Sequence, residues 1–587
     1  MEDKPRKIKS YIPRNIAINS QHTYKDFIKK RHRLLSNFEF KNYDSGIGVR
    51  EEQKSKMKRY LLKIAKQQKY VGKLDLRRVD ISHRGFLFPA MIYFAKRVTN
   101  TRRFSLFDRK LEKYHYKGIA EKWPKYIKNM KQLNYAFMYQ HYHRFSLFNE
   151  ELPKPFNGPF PTISSFLKFQ SKMKNLELYL HDQDCKELNE YLRFENYPAG
   201  LEGLALIRCQ AKEIRLNSSL TRFKNLKTLN LDLVLGSTLE SVNTLLKLTP
   251  QMIELENLRL SLPPNVPEGQ ALSLVFKEMK TLKKLKKVVL ISAFTPLKDC
   301  EEFLEVIKDC PIRILKIWTL VKSDEEIDKI TNLLANFKDL ETLDIYITHE
   351  GMVKRPETIE RLFKNIDELY LLKRFQIDLH SRENNQAKKK TYLSYKLILN
   401  KIFTKKVPLE AFYVGCNQYS ISNQDFMDLL DLLKPLSSSL TKLGISLGEI
   451  KSNKIDLEAA LETIQGLNNL RSLKLWSLSL ASAKCFMGFI ETIYTLKYLR
   501  SLTIGEVKGT VSKPKYVDGV ERILTKRGLQ AFMCEISSAF KESLNKKSKA
   551  CPDINLTEIR KKNPWLSVCV CGPILEKLGF SADLGIW

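Results

Sequence analysis

Cys569-Val-Cys571 sets two potential metal or redox ligands two residues apart. Alternation along a strand puts both thiols on one face. A zinc knuckle needs a different spacing and a second ligand pair, and none follows nearby, so the expectation is a pair of buried structural cysteines. His141-Tyr-His143, with His115 upstream, aligns two imidazoles in the same way and reads as a basic aromatic surface. Gly46-Ile-Gly48 lacks the third glycine and the flanking strand of a phosphate-cradling loop. Glu51-Glu52 and Asp324 to Glu326 fall where helices should begin, where carboxylates favour the macrodipole. These residues form no catalytic constellation. The reading is of a chain that is not an enzyme, with no catalytic residues, no cofactor and no bound metal.

The elements that would position any recognition chemistry come from a repeat. Leu226-Lys-Thr-Leu229-Asn-Leu231 recurs as Leu255-Glu-Asn-Leu258-Arg-Leu260, Leu340-Glu-Thr-Leu343-Asp-Ile345, Leu440-Thr-Lys-Leu443-Gly-Ile445, Leu470-Arg-Ser-Leu473-Lys-Leu475 and Leu499-Arg-Ser-Leu502-Thr-Ile504. Degenerate copies centre on Leu176, Leu204, Val288, Leu315, Phe375 and Phe412. Central residues from Leu229 to Leu343 lie 29, 30, 27 and 28 apart, and those from Phe412 to Leu502 lie 31, 30 and 29 apart. Within a unit, alternation at the last positions makes a short half-buried strand. The stretch between strands has helical period. Ser323-Asp-Glu-Glu326 is a capping box, followed by Ile327, Ile330, Leu333, Leu334 and Phe337 on one face. Leu272, Val275, Phe276, Met279 and Leu282 repeat that stripe, as do Phe426, Leu429, Leu430 and Leu433 after Ser422, stopped by Pro435. One strand and one helix, neither able to bury itself alone, must stack into a solenoid.

From these residues the chain resembles leucine-rich repeat proteins of the long, helix-backed class typified by ribonuclease inhibitor, over about 170 to 505. The resemblance implies an α/β solenoid with a curved parallel sheet inside and helices outside. The family's Asn or Cys, three residues past the last strand leucine, is Cys209 once and otherwise Val234, Pro263, Thr348, Gly448, Leu478 and Val507. Irregular turns after the strands are therefore expected.

The register then selects the binding residues. Positions one before, one after and three after each central residue should point out of the concave sheet. They include Arg259, Lys316, Trp318, Tyr346, Arg374, Tyr413, Lys474 and Trp476, mixing Trp and Tyr with cations. Exposed Trp, Tyr and Arg carry interface energy, so this face is the expected protein-binding surface. The alternative is that Trp318 and Trp476 lean sideways onto neighbouring strands.

Charge adds a second surface. The chain carries a formal +35, and residues 1–150 hold 36 Lys+Arg against 13 Asp+Glu. Lys54, Lys56, Lys58, Arg59, Lys63, Lys66 and Lys69 surround Met57, Leu61, Ile64 and Ala65, which predicts a basic amphipathic helix over 53–70 capping the first repeat. Lys54, Lys56, Lys58, Arg59, Lys63 and Lys66, with Arg77, Arg103 and Arg144, are the polyanion-binding candidates. Fourteen aromatics lie between Tyr93 and Phe148; they suit stacked bases of a single strand or an imperfect repeat core. Period-two spacing at Tyr135, Phe137 and Tyr139 favours the core.

The expected organisation is a basic extension and helical cap over 1–70, degenerate basic, aromatic-rich repeats over 71–165, the solenoid over 166–510, and an insertion, last repeats and cap over 511–587. Val71 to Leu76 looks like a first strand, and Arg103-Phe-Ser-Leu-Phe107 recurs as Arg144-Phe-Ser-Leu-Phe148. Ile554-Asn-Leu556 and Val568-Cys-Val570 read as last strands. The longest apolar run, Phe86 to Ala95, is broken by Pro89 and too short to span a membrane. Cysteines scattered from Cys185 onward fit an intracellular, cytoplasmic or cytoskeletal protein. Nuclear and mitochondrial residence stay open.

The functional expectation is a scaffold or adaptor that holds a protein of a larger assembly on its concave face and an acidic partner on its basic N-terminal region. The alternatives are an RNA- or DNA-associated ribonucleoprotein subunit and, by family analogy, a substrate receptor of a ubiquitin ligase. Residues 1–150 should retain a polyanion at low salt and release it as salt rises, because counterion release drives such binding. A full-length protein that binds no RNA at low salt contradicts the ribonucleoprotein reading.

Overall fold

Three apolar positions per repeat leave water together. Leu226, Leu229 and Leu231, and their counterparts from Leu255 to Ile504, are all 3% exposed or less. Burying three such side chains is worth roughly 5–9 kcal/mol. Ordering the six residues that carry them costs about 6–12 kcal/mol of backbone entropy. A single repeat therefore breaks even at best, and each must lean on the next.

The computed structural model describes residues 172–181, 200–209, 224–233, 249–261, 276–277, 279–292, 297–321, 324–349, 369–381, 409–416, 430–431, 433–447, 457–476, 483–507, 519, 522–526, 528–529 and 531–536. At 16–18, 37–40, 73–76, 103–108, 135–141 and 567–571 it describes the backbone strands alone. Contacts divide the chain into two units, Met1–Leu285 and Lys286–Trp587.

In the first unit the strands are β1 (Ile16–Ile18), β2 (Asn37–Phe40), β3 (Lys73–Leu76), β4 (Arg103–Asp108), β5 (Tyr135–His141), β6 (Asn175–His181), β7 (Gly203–Cys209), β8 (Thr228–Leu233) and β9 (Asn257–Ser261). Each pairs in parallel with the next in sequence. Short 3-10 turns at Thr249–Gln251 and Met279–Thr281 lie on the connections.

The second unit contains β10 (Lys287–Ser292), β11 (Ile314–Val321), β12 (Thr342–His349), β13 (Arg374–Ser381), β14 (Ala411–Cys416), β15 (Lys442–Leu447), β16 (Ser472–Trp476), β17 (Ser501–Val507), β18 (Ala531–Ile536) and β19 (Ser567–Cys571). These too pair in parallel and in order. Four described helices return the chain: α1 (Leu297–Ile307), α2 (Asp324–Leu334), α3 (Leu457–Gly466) and α4 (Ala483–Thr495). The period and the parallel ladder make the fold an α/β leucine-rich repeat solenoid, with the helical returns described in the second unit.

Every central residue named from the sequence between Leu176 and Leu502 is in register with its neighbours. Leu176, Leu204, Leu229 and Leu258 align in the first unit, and Val288, Leu315, Leu343, Phe375, Phe412, Leu443, Leu473 and Leu502 in the second. α2 begins at Asp324, within the expected capping box, whose Ser323 lies outside the described residues; Ile330, Leu334 and Phe337 are buried. Pro435 falls inside a 3-10 turn, Lys434–Leu436, after the buried Leu430 and Leu433. Phe375 and Phe412 stack with centroids 6.2 Å apart at 22°. Their 37-residue separation in sequence does not break the ladder, because the extra residues lie in the connection.

Two findings depart from the sequence reading. The parallel ladder already contains β1 and β2, ahead of the first strand expected near residue 73. β18 was not singled out, since Ala531-Phe-Met-Cys lacks the leucine pattern. Register shifts at the ends of β7 and β17 fit the irregular turns expected after the strands, although at β7 the shift falls at Cys209, the position that keeps the family's Cys. The helix expected over 53–70, the second Arg-Phe-Ser-Leu-Phe copy and Ile554–Leu556 lie outside the described residues.

Phe375→Ala should remove about 3–5 kcal/mol from the second unit, because neither Phe412 nor the flanking strands can collapse into the space. Urea unfolding monitored by circular dichroism checks this, with loss of less than about 1 kcal/mol contradicting the packing described.

Candidate interaction surface

Burial alternates along β8, β9 and β11, whereas on β12 to β14 some residues of the outward face, Asp344, Asp378 and Gly415 among them, are buried as well. In β11, Leu315 and Ile317 are buried while Lys316 is partly exposed and Trp318 exposed; β8 and β9 alternate in the same way. Parallel strands lie about 4.8 Å apart, which places equivalent residues in lines across the sheet.

One line runs Lys316, Asp344, Gln376, Tyr413, Gly444 and Lys474. The next, two residues further along each strand, runs Trp318, Tyr346, Asp378, Gly415, Ser446 and Trp476. A third carries Arg374, exposed, with Thr342 and Ala411 beside it. The sequence-predicted Lys316, Trp318, Tyr346, Arg374, Tyr413 and Lys474 therefore share one face of the second unit. Trp476 has its backbone on the second line, and its side chain lies outside the described residues. Arg259 is exposed on β9 of the first unit. The side chains of Lys54, Lys56, Lys58, Arg59, Lys63, Lys66, Arg77, Arg103 and Arg144 lie outside the described residues, with Arg103 beginning strand β4.

The lines are chemically built rather than merely adjacent. Trp318 packs against Tyr346 with centroids 5.7 Å apart, tilted by 34°, and still leaves 37% of its surface open. The Trp318 indole leans on its neighbour, as one sequence alternative expected, and is still partly exposed. Lys316 Nζ pairs with the Asp344 carboxylate, and Gln376 Nε2 donates to the Tyr346 hydroxyl. Asp344 is 3% exposed and Asp378 5% exposed. Burial raises the Tyr346 phenol well above its usual value, and the nearby negative charges of Asp344 and Asp378 push the same way. Burial lowers the Lys474 ammonium, partly offset by Asp378.

Two glycines allow this compression. A Cβ on Gly444 would lie 2.1 Å from Tyr413 Cδ2, so the ring of Tyr413 occupies the space above Gly444. Lys474 from β16 then sits over that ring, 5.0 Å from its centroid, a cation–π contact in a half-buried setting. A Cβ on Gly415 would lie 2.4 to 2.6 Å from the Asp378 carboxylate atoms, which cover it in the same manner. Asp344, Gln376, Asp378, Gly415 and Gly444 were not among the predicted site residues. The same one-after and three-after positions locate them, but a rule that looked for Trp, Tyr and cations passed over buried acids and glycines.

Among the described residues, no group of three or more His, Cys, Asp or Glu side chains could hold a metal ion. None of the described helices is long and apolar enough to cross a membrane.

No family model and no curated protein matches the chain. Among solved structures, a crystal structure of a TLR13–ssRNA13 complex is similar at 13% identity and a TM-score of 0.26, over 81% of this chain. This chain spans 62% of the length of that one. A likeness of that size carries no inference about partner or activity.

Gly444→Ala should cost about 1–3 kcal/mol, because the ring of Tyr413 must swing off its seat. Gly466→Ala, where nothing lies within 4 Å, should be neutral or slightly stabilising. Equal effects of the two in urea unfolding would contradict the arrangement. Tyr346 gives a pH test. Its folded value is raised, so its contribution to stability is complete below the ordinary tyrosine value of 10.0 and falls as pH rises beyond it. Tyr346→Phe should flatten that alkaline loss in thermal unfolding.

Proposed function

We propose that the chain is a non-enzymatic interaction scaffold of the long, helix-backed repeat class. It holds a protein partner on the outward face of the second unit and docks through its basic N-terminal region on an acidic partner. The observation that carries the reading is Trp318, an indole left 37% exposed on a strand face and backed by Tyr346. Aromatic anchors ringed by polar groups are where alanine substitution costs binding most. The polar groups around it, Lys316 with Asp344 and Gln376 with Tyr346, are satisfied within the protein. Such groups are held in place before a partner arrives, which lowers the ordering cost of binding.

The expected partner surface is apolar at its centre and complementary to an internally neutralised rim, since Lys316 and Lys474 face Asp344 and Asp378. In this reading 1–70 and 71–165 form the basic docking region, 166–510 the scaffold, and 511–587 its end. The excess of 36 basic over 13 acidic residues in 1–150 supports the docking role. The fourteen aromatics interleaved with those cations favour, as a second reading, a ribonucleoprotein subunit.

Affinity purification from native cells, followed by binding assays with the protein recovered, tests the first reading. Trp318→Ala should weaken that complex by at least about 2 kcal/mol, or some thirtyfold in Kd, while the thermal transition stays unchanged. Unaltered affinity with an intact fold contradicts the proposal.

A further inference from the structure

The residue two before each central position forms a second, separate edge. Its carbonyl accepts N–H groups from the next repeat, as Arg313 O does from Glu341 and Thr342 at 2.8 and 2.9 Å. Side chains at this position therefore line up along the N-terminal rim of the strands. Among the described strands they alternate in sign from Lys174 through Glu202 and Lys227 to Glu256 in the first unit and from Arg313 through Glu341 and Lys373 to Glu410 in the second, where Lys286 precedes Arg313 as an adjacent cation. In the first unit Glu202 bridges Lys174 at 2.5 Å and Lys227 at 3.3 Å, which holds its carboxyl below the ordinary range. In the second unit Glu341 lies 3.7 Å from Arg313 and 3.3 Å from Lys373.

Beyond Glu410 the alternation stops. The rim positions become Thr441, Arg471 and Arg500, and the two arginines are on adjacent strands, joined by Arg500 N–H to Arg471 O at 2.8 Å. The turns ahead of them contribute Asn468, Asn469, Lys497 and Tyr498, all exposed. Tyr498 is 49% exposed with Lys497 Nζ 5.3 Å from its ring centroid. On the last turn of α4, Tyr494 is 44% exposed, with Arg522 5.5 Å and Lys526 5.3 Å from its ring. Lys526 Nζ also donates to Tyr494 O at 2.6 Å, which fixes the base of that ring. The acid contributed by α4, Glu491, is held by Arg522 through a pair that includes a 2.9 Å bond.

We propose that this rim, formed by the turns before β16 and β17 and the end of α4, binds single-stranded nucleic acid. Tyr494 and Tyr498 stack bases, and Arg471, Lys497 and Arg500 pair with phosphates. A duplex would hide the base faces that the rings require. An acidic peptide would use the cations but has no need of two half-open rings, each beside a cation; bases with flanking phosphates use both. The rim is distinct from the Trp318 face and does not rest on the reading of that face.

The test uses the full chain with Lys54, Lys56, Lys58, Arg59, Lys63 and Lys66 changed to Gln, which removes competing N-terminal charge. Fluorescence anisotropy follows a labelled single-stranded oligouridylate at low salt. Tyr494→Ala with Tyr498→Ala should weaken binding at least about fivefold, and the paired Tyr→Phe changes should not. Binding of inorganic polyphosphate, which has no bases, should be indifferent to the tyrosine changes. Arg471→Gln with Arg500→Gln should reduce the slope of log affinity against log salt by about 1.4. If the double alanine variant does not fold, Tyr498→Ala alone serves, since Tyr498 lies in an exposed turn. Oligouridylate affinity indifferent to Tyr498 and Tyr494 overturns the proposal. So does a polyglutamate peptide that binds with the same tyrosine dependence, which would make this an acidic-protein surface. Loss of protein capture by Trp318→Ala with oligouridylate binding intact separates this proposal from the scaffold reading.

Discussion

The buried apolar triad of each repeat is the interaction on which everything else depends. Because a triad only balances the entropy of its own strand, a repeat is stable when its neighbour supplies the next rung. That requirement fixes the register. Leu315, Leu343, Phe375, Phe412 and Leu443 have to lie side by side, and once they do, the residues between and ahead of them fall into lines whatever their identity. The surfaces are thus consequences of the core, one residue out of phase with it.

Within that frame, small residues decide how the lines are used. Gly444 lets Tyr413 lie down and Lys474 cover it; Gly415 does the same for Asp378. The strand face thereby becomes a tight, internally paired platform on which Trp318 rests against Tyr346 and stays partly exposed. On the N-terminal rim acids and bases alternate over several described strands, and beyond Glu410 arginines lie together with exposed tyrosines. Exposed ion pairs such as Lys174 with Glu202 add little stability, with a typical value below about 1 kcal/mol. Their consequence is to neutralise a rim that would otherwise be basic.

Much of this was legible in the residues. The leucine spacing located every central residue from Leu176 to Leu502, and the capping box located α2, because both follow from burial periods that survive in any context. The outward face followed from the same register, and Trp318, Tyr346, Tyr413 and Lys474 are on it. The rest was hidden for physical reasons. β18 carries Phe532 and Cys534 at the register positions where the pattern expects leucines, and β1 and β2 are too short to show a period. Asp344 and Asp378 look like ordinary solvated acids until the neighbouring strands cover them. The rim patch combines a helix end with two turns from different repeats, so spacing along the chain does not reveal it.

The central claim is that register assembles the surfaces, and oxidative cross-linking of paired cysteines measures register directly. Lys442 and Ser472 are side by side on β15 and β16, whereas Lys474 is offset from Lys442 by two residues. In-register neighbours lie about 4.8 Å apart and the offset pair about 8 Å, on either side of what a disulfide can span. Lys442→Cys with Ser472→Cys should cross-link readily under mild oxidation, and Lys442→Cys with Lys474→Cys should not. Preferential cross-linking of the offset pair would contradict the ladder and, with it, both surfaces.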